Sequence, residues 1–398
     1  MPSFSEILPS IDIPRLRERA LTASDAEVRR VLARGRAASL EDFAVLLSPA
    51  ATAHLETLSR LSQAVTQRFF GRTIRLFAPI YLSNECINVC KYCGFSRHNP
   101  IPRVTIPVDQ VEREVRMLAA QGFRSLLLVA GEHPRFVSNG YVEETIRRLL
   151  PVMPGISLEL GPLETQDYIP MVRAGAEGLV VYQETYHEPT YRDLHTAGPK
   201  KHYGWRMDTP ERGYAAGFRR LGIGALFGLH DWRYDALAVA AHAQHLLRTC
   251  WKAYLTLSLP RMRPAAGGWQ PRPEHFLPDR EFVQTICALR LLLPHCGLVL
   301  STREPPHLRD GLVRLGITSM SAGASTEPGG YSSHFDESTW TPKADQPGEQ
   351  FHIADERPPA EIAAMIRRQG YDPVWKDFDQ ALVQPIEAGP GSPVDTAP

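Results

Sequence analysis

The chain reads as an α/β protein, a closed (β/α)8 TIM-type barrel with a helical extension before it and a further extension after it. Three observations predict this. Eight short runs rich in Val, Ile or Leu recur between residues 74 and 321. Amphipathic stretches alternate with them, and strand–helix alternation implies parallel strands joined by right-handed crossovers. The residue types that carry chemistry fall directly after the runs, where a barrel presents its βα loops.

The elements follow in order. Residues 12–71 read as helical: Asp12 can cap a helix with Pro14 in its first turn. Ser39 and Asp42 have capping-box spacing. Leu55, Leu58, Leu61 and Val65 form one apolar stripe that Gly71 can end. This gives an N-terminal helical extension over 1–72, a barrel over 73–330 and a C-terminal extension over 331–398. The barrel strands are expected at 74–82, 124–130, 156–160, 178–183, 223–229, 253–259, 297–302 and 317–321. Helical patterns lie at 108–121, 140–151, 164–173, 208–220, 233–249, 278–292 and 307–314, three of them closed by Gly122, Gly175 and Gly316. The fifth strand is the least regular, because GIGALFGL carries three glycines. Residues 331–358 are irregular and polar, 359–369 a short helix, and the Pro- and Gly-rich last dozen residues are expected to be disordered.

Composition removes several function classes. Lys+Arg and Asp+Glu both number 44 in 398 residues, so no excess of positive charge marks a nucleic-acid surface. No apolar run approaches the roughly 18 residues of a membrane span, and the N-terminus lacks a signal-peptide pattern, which points to the cytoplasm. Six cysteines are too sparse for a disulfide scaffold.

Three of those six, Cys86, Cys90 and Cys93, stand at C-x-x-x-C-x-x-C spacing after the first strand. Structural zinc normally takes four protein ligands, and Cys250, Cys287 and Cys296 lie in or beside distant helices. A cubane of four irons held by three thiolates leaves one iron open for a substrate or cofactor. The spacing allows a non-catalytic zinc scaffold or an iron–sulfur site. After the second strand come Gly131 and Glu132, Glu159 ends the third, and after the fourth comes the polar–aromatic patch Tyr182 to Tyr186, including Glu184. An acid in a barrel mouth is costly unless paired. Arg206 and Arg212 flank a helix start, His230 and Asp231 follow strand five, Arg261 and Arg263 follow strand six, Arg303 follows strand seven, and Ser321 ends strand eight.

The cysteine motif, with Tyr92 before its third Cys, resembles the radical S-adenosylmethionine (SAM) superfamily. The wider string YLSNECINVCKYCGFS resembles the ThiH-type tyrosine lyases, or 2-iminoacetate synthases, of thiamine thiazole biosynthesis. LLLVAGEH, GLVVYQETYH, SLPRMRPAAGG, LSTRE, SAGASTEPGGY and PVWKDFD resemble segments of that family in the same order, so the likeness runs to about residue 382. It implies a [4Fe–4S] cluster on Cys86, Cys90 and Cys93. It implies SAM held by the loops bearing Tyr92, Gly131, Glu132, Glu159 and Arg206, with Glu132 accepting from the SAM amino group, Glu159 on the ribose and Arg206 on the SAM carboxylate. L-tyrosine would be the substrate, its carboxylate on Arg303, its amino group oriented by Ser321, and Glu184 in the substrate cavity. The products would be 2-iminoacetate (dehydroglycine) and p-cresol. Implied partners are a ThiG-type thiazole synthase and a one-electron donor such as flavodoxin or ferredoxin. A relative acting on another aromatic amino acid, such as tryptophan, is the nearest alternative. The hydrogenase-maturing relatives carry a second cysteine cluster near the C-terminus, whereas no Cys here follows Cys296.

Overall fold

A computed structural model describes residues 2–333 and 348–376. Eight parallel strands close into a barrel: β1 (Thr73–Ser83), β2 (Ser125–Ala130), β3 (Gly155–Glu159), β4 (Gly178–Glu184), β5 (Arg220–Ala225), β6 (Tyr254–Ser258), β7 (Gly297–Leu300) and β8 (Ser319–Ser321). Closure runs through the long first strand. Arg75 to Phe77 pair with β8, and Ala78 to Ser83 pair with β2. The helices of the outer ring are α1 (Val108–Ala120), α2 (Asn139–Leu149), α3 (Thr165–Ala174), α4 (Thr209–Ala216), α5 (Trp232–Thr249), α6 (Asp279–Leu292) and α7 (Pro306–Leu312).

One unit departs from the sequence expectation. The fifth strand begins at Arg220 and ends at Ala225, three to four residues earlier than its apolar pattern suggests, and the helix before it stops at Ala216. Gly217 turns the chain through a left-handed φ of 118°, so the strand starts sooner. The apolar residues after Ala225 leave the sheet, with Phe227 N–H bonded to the Pro260 carbonyl at 2.8 Å. The strand must carry glycine where it faces β6: a Cβ on Gly224 would lie 2.0 Å from the Ser258 carbonyl oxygen.

The N-terminal helices form as their caps dictate. Asp12 accepts from Arg15 N–H at 2.9 Å, and Ser39 from Asp42 N–H at 3.2 Å. Helix Leu55–Phe70 ends at Gly71, φ 65°. They cover the outer side of α5, which is why that helix can be apolar nearly all round, with Ala236 to Ala241 buried. Phe4 stacks on His242 at 4.2 Å and is itself fully buried, so the extension is part of the core.

After β8 and a short helix (Gly330–Ser333), the described chain resumes at Gly348 and runs across the barrel mouth. There Gln350 N–H bonds Thr326 at 2.9 Å, His352 N–H bonds Pro264 at 3.0 Å and Ala354 N–H bonds Thr302 at 2.9 Å, all through carbonyls of residues beyond the strand ends. Helix α8 (Pro359–Arg368) then leads to a strand absent from the sequence reading, Asp372–Val374, which pairs with the start of β1 at the opposite end of the barrel. The expected disordered tail lies outside the described residues. Among the described residues no helix is long and apolar enough to cross a membrane.

Candidate active site

The cysteine loop leaves the end of β1 and is held by backbone contacts rather than by regular structure. Arg103 reaches back into it: Nη1 donates to the carbonyls of Asn84 (2.7 Å) and Phe95 (2.9 Å), Nη2 to those of Ser96 (2.6 Å) and Asn99 (3.2 Å). Asn99 Nδ2 donates to the carbonyls of Cys93 at 3.0 Å and Gly94 at 2.9 Å. Val89 and Cys90 pair antiparallel with His195–Ala197, and Cys90 N–H donates to Ser96 Oγ at 3.2 Å. The loop after β2 is joined to it, with Gly131 N–H on the Ser83 carbonyl (2.8 Å) and Ile87 N–H on the Glu132 carbonyl (2.9 Å). Gly131 is required by this closeness: a Cβ there would sit 2.2 Å from the Glu85 carbonyl oxygen. The atom approaching Gly131 is therefore the chain's own backbone.

Cys90 is buried, and Cys86 and Cys93 are half-buried. Burial raises the Cys90 and Cys93 thiols, against the opposing charge of Lys200. A metal bound there would have to draw out the thiolates. Among the described residues no three His, Cys, Asp or Glu side chains converge as they would around one metal ion. Three thiols on one loop, without a fourth ligand, fit separate irons of a cluster better than a closed zinc site.

Cys93 lines a cavity at the C-terminal end of the barrel together with Tyr92, Glu159, Glu184, Arg303 and Ser321. Six residues singled out in the sequence thus meet in one place. Burial, with the nearby charge of Glu184, pushes the Glu159 carboxyl up to about 7, against Arg303, Arg206 and Lys200. Burial would raise Glu184 too, but Lys200 and Arg206 outweigh it and hold this carboxyl below its usual range. Lys200 Nζ sits 2.6 Å from Glu184 Oε1 and Arg206 Nη2 3.5 Å from it. Glu184 has φ 73°, the one positive value among described non-glycine residues, a strain of about 1–3 kcal/mol that the ion pairs help to maintain. The Arg303 guanidinium makes no hydrogen bond or ion pair to any described residue, only its backbone N–H bonding Ser301 Oγ at 3.3 Å. Burial lowers it, opposed by Tyr81, Glu184 and Glu159, and an arginine so placed stays charged.

Glu132, Arg206, Arg212, Arg261 and His230 do not line this cavity. Glu132 accepts from Asn88 Nδ2 at 2.7 Å, beside the Cys86 turn. Arg206 is buried behind Glu184, with Nε on the Tyr182 carbonyl at 2.9 Å. Ser321 Oγ accepts from Thr302 N–H at 3.1 Å. Arg261 binds Glu304 and Asp279, and Arg212 binds the carbonyls of Leu163 and Trp205, so both are structural. His230 stacks on His187 at 3.9 Å in an outer groove, away from the cavity.

Sequence reasoning missed Arg103, Asn88, Lys200, His195, Tyr81, Gln350 and Phe351. Burial, with Lys200 adding to it, pushes His195 down to about 3, so its ring is neutral. Its Nδ1–H donates to the Tyr191 carbonyl (2.7 Å), which leaves Nε2 to accept from the Tyr92 hydroxyl (2.8 Å). Gln350 Oε1 accepts from the Tyr81 hydroxyl at 2.8 Å, bringing the C-terminal segment into the cavity wall. A lone His, Lys or Gln far from the motif carries no spacing signal. Arg103, in NPIPR just beyond the cysteines, was the one placed to be found.

Comparison with known proteins places the chain in a family. Residues 258–372 match the Biotin and Thiamin Synthesis associated domain. The chain is 40% identical over 383 residues to the 2-iminoacetate synthase of Escherichia coli (strain K12), covering 96% of this chain and 98% of that one. It is 40% identical over 369 residues to the Salmonella typhimurium enzyme of the same name, covering 92% and 94%. Among solved structures, HydG, a maturase of the [FeFe]-hydrogenase, superposes with TM-score 0.84 at 29% identity, covering 93% of this chain and 80% of that one. With nearly the whole chain aligned at this identity, on a barrel bearing the cysteine loop at its mouth, the protein belongs to the 2-iminoacetate synthase family of radical SAM enzymes.

Proposed function

We propose that this chain splits the Cα–Cβ bond of L-tyrosine to give 2-iminoacetate and p-cresol, the 2-iminoacetate supplying the thiazole of thiamine. The observation that most supports this is the pairing, in one cavity, of a loop thiol with an arginine whose guanidinium hydrogen-bonds no described residue. Such a cation, drawn from water yet bonded to no described residue, has donors to spare for a ligand. The carboxylate of an amino acid would supply the missing charge in the bidentate geometry that guanidinium favours.

In this reading Cys86, Cys90 and Cys93 would hold a [4Fe–4S] cluster, which together with SAM would supply radical chemistry at the barrel mouth. The protein positions and shields. Arg303 fixes the tyrosine carboxylate and Ser321 orients its amino group. Glu184, pinned by Lys200 and Arg206, sets the charge of the cavity wall. Glu132 is the acceptor for the SAM amino group, Glu159 for its ribose, Arg206 the partner of its carboxylate, and Tyr92 the aromatic face beside the cysteine loop. Gly131 lets the two loops close on each other. The barrel mouth, crossed by residues 348–357, keeps water from a reactive intermediate. The imine product hydrolyses in water, which favours handover to a thiazole synthase. Two electrons per turnover, one for SAM cleavage and one, with a proton, to bring the 4-hydroxybenzyl fragment to p-cresol, call for a one-electron carrier such as flavodoxin or ferredoxin. Free thiols at the site suit the reducing cytoplasm.

The test is an anaerobic assay with iron, sulfide, SAM, a strong reductant and tyrosine, read by mass spectrometry. The expected products are p-cresol, 5′-deoxyadenosine and glyoxylate from the hydrolysed imine, all tyrosine-dependent. Deoxyadenosine without p-cresol would discard tyrosine as the substrate.

A further inference from the structure

The Arg303 guanidinium carbon lies 3.3 Å from the centroid of the Phe351 ring. Phe351 belongs to the segment that crosses the barrel mouth, 48 positions along the chain from Arg303. Its own placement is fixed from both sides. Gln350 accepts from Tyr81 through its side chain and from Gly94 N–H (3.0 Å) through its carbonyl. Gly94 has no side chain because a Cβ there would meet the Gln350 carbonyl oxygen at 2.5 Å. On the other side Thr326 Oγ1 donates to the Phe351 carbonyl at 2.9 Å.

We infer that Phe351 is a positioning residue for substrate recognition. Its ring face holds the Arg303 guanidinium flat and leaves the in-plane N–H edge free for an amino-acid carboxylate. The reasoning is geometric. A guanidinium with four rotatable side-chain bonds and no hydrogen-bond partner would sample several orientations. An aromatic face attracts the cation yet occupies none of its donors, since those lie in the plane of the group. A carboxylate partner would have consumed the same donors that the substrate needs. Stacking is the form of restraint that orients an arginine and keeps it available. This rests on the reading of Arg303 as the carboxylate site.

The experiment compares Phe351→Leu, which keeps apolar bulk and loses the ring face, with Phe351→Tyr, which keeps both. Each is measured with tyrosine and with tyramine, which lacks the carboxylate, as a competitive probe. Phe351→Leu is expected to raise the tyrosine KM about five- to thirty-fold, the range of a desolvated cation–π contact, with a smaller change in kcat. Tyramine inhibition should stay within about two-fold, and Phe351→Tyr should behave as the parent. In an Arg303→Lys background, Phe351→Leu should add less than about two-fold, because the contact it removes is already altered. An unchanged tyrosine KM in Phe351→Leu, an equal loss of tyramine affinity, or full additivity with Arg303→Lys would each overturn the inference. If Arg303→Lys leaves tyrosine KM unchanged, the carboxylate reading itself fails. If Arg303→Lys raises it and Phe351→Leu does not, only the role of Phe351 fails.

Discussion

Arg303 and the three cysteines illustrate two ways a residue can be prepared for a ligand. The arginine is charged beforehand, and its guanidinium hydrogen-bonds no described residue. Burial raises the Cys90 and Cys93 thiols, so a bound metal would have to draw out their thiolates. Each of Cys86→Ala, Cys90→Ala and Cys93→Ala should therefore leave a folded protein that retains little iron and cleaves no SAM, measured by iron content and 5′-deoxyadenosine. Full SAM cleavage in any of them would refute the cluster assignment. Arg303→Lys keeps the charge and loses the fork. Tyrosine turnover should fall by roughly 10–100-fold, the cost of a charged hydrogen-bond pair at about 1.5–3 kcal/mol. Slow tyrosine-independent SAM cleavage should persist, visible as a rising ratio of deoxyadenosine to p-cresol. At this scale the sequence was informative where chemistry is local. The cysteines announce themselves by spacing, and Arg303, Glu159 and Ser321 by standing at or just after strand ends. Lys200 and Phe351 lie more than a hundred residues beyond the motif, so no spacing could mark them.

At the scale of elements, glycine blurred the sequence reading. Gly222 and Gly224 let β5 pass close to its neighbours, and the apolar pattern slid to the residues that follow. Helix α5 shows the reverse, an apolar pattern legible at once because both its faces are buried. Its first turn carries a polar fixture that the pattern hid: Asp235, fully buried, accepts from Tyr186 N–H (2.8 Å) and Thr185 Oγ1 (3.0 Å) and so ties the helix to the end of β4. Burial pushes this carboxyl up to about 7 from an ordinary 3.8. The proton is held more tightly folded than unfolded, so its contribution is complete at pH below the ordinary value and is lost as pH rises through about 7. Asp235→Asn keeps an acceptor without the charge. Denaturant titrations should show the variant gaining on the parent by about 2–4 kcal/mol between acid and mildly alkaline pH. A constant difference across that range would show that Asp235 does not titrate there. The cysteine loop makes a second case, since Arg103 alone satisfies four of its carbonyls. Arg103→Met should speed iron loss to a chelator at least several-fold while the thermal midpoint falls by only a few degrees. Equal iron retention would mean that the cysteines hold the loop unaided.

Over the whole molecule, the segment across the mouth links the two halves of the site, and one buried ion network fixes it there. The side chains of Arg309 and Asp355 are both fully buried and paired. Arg357 spans Asp355 (2.7 Å) and Asp310 (2.8 Å), and Arg309 also donates to the Ser321 carbonyl at the end of β8. The hydrogen bond to Arg357 and the charges of Arg309 and Arg357 outweigh burial and hold the Asp355 carboxyl below its usual range, so the pair is intact at neutral pH. None of this was legible in the sequence, where 331–358 showed only polar, irregular chain; a network assembled from β8, α7 and a crossing segment has no local pattern. Removing one partner leaves a buried charge unpaired, whereas removing both leaves an apolar space. Asp355→Ala should therefore destabilise the protein by about 3–5 kcal/mol, and Asp355→Ala combined with Arg309→Met by clearly less. Because Asp355 lies four positions from Phe351, the single variant should also raise the tyrosine KM at temperatures where the fold persists, and iron content should stay at the parent level. Loss of iron in step with stability would place the network under the whole barrel. Loss of tyrosine affinity alone would place it under the mouth, the outcome that its contacts to residues 355–357 and to Ser321 support.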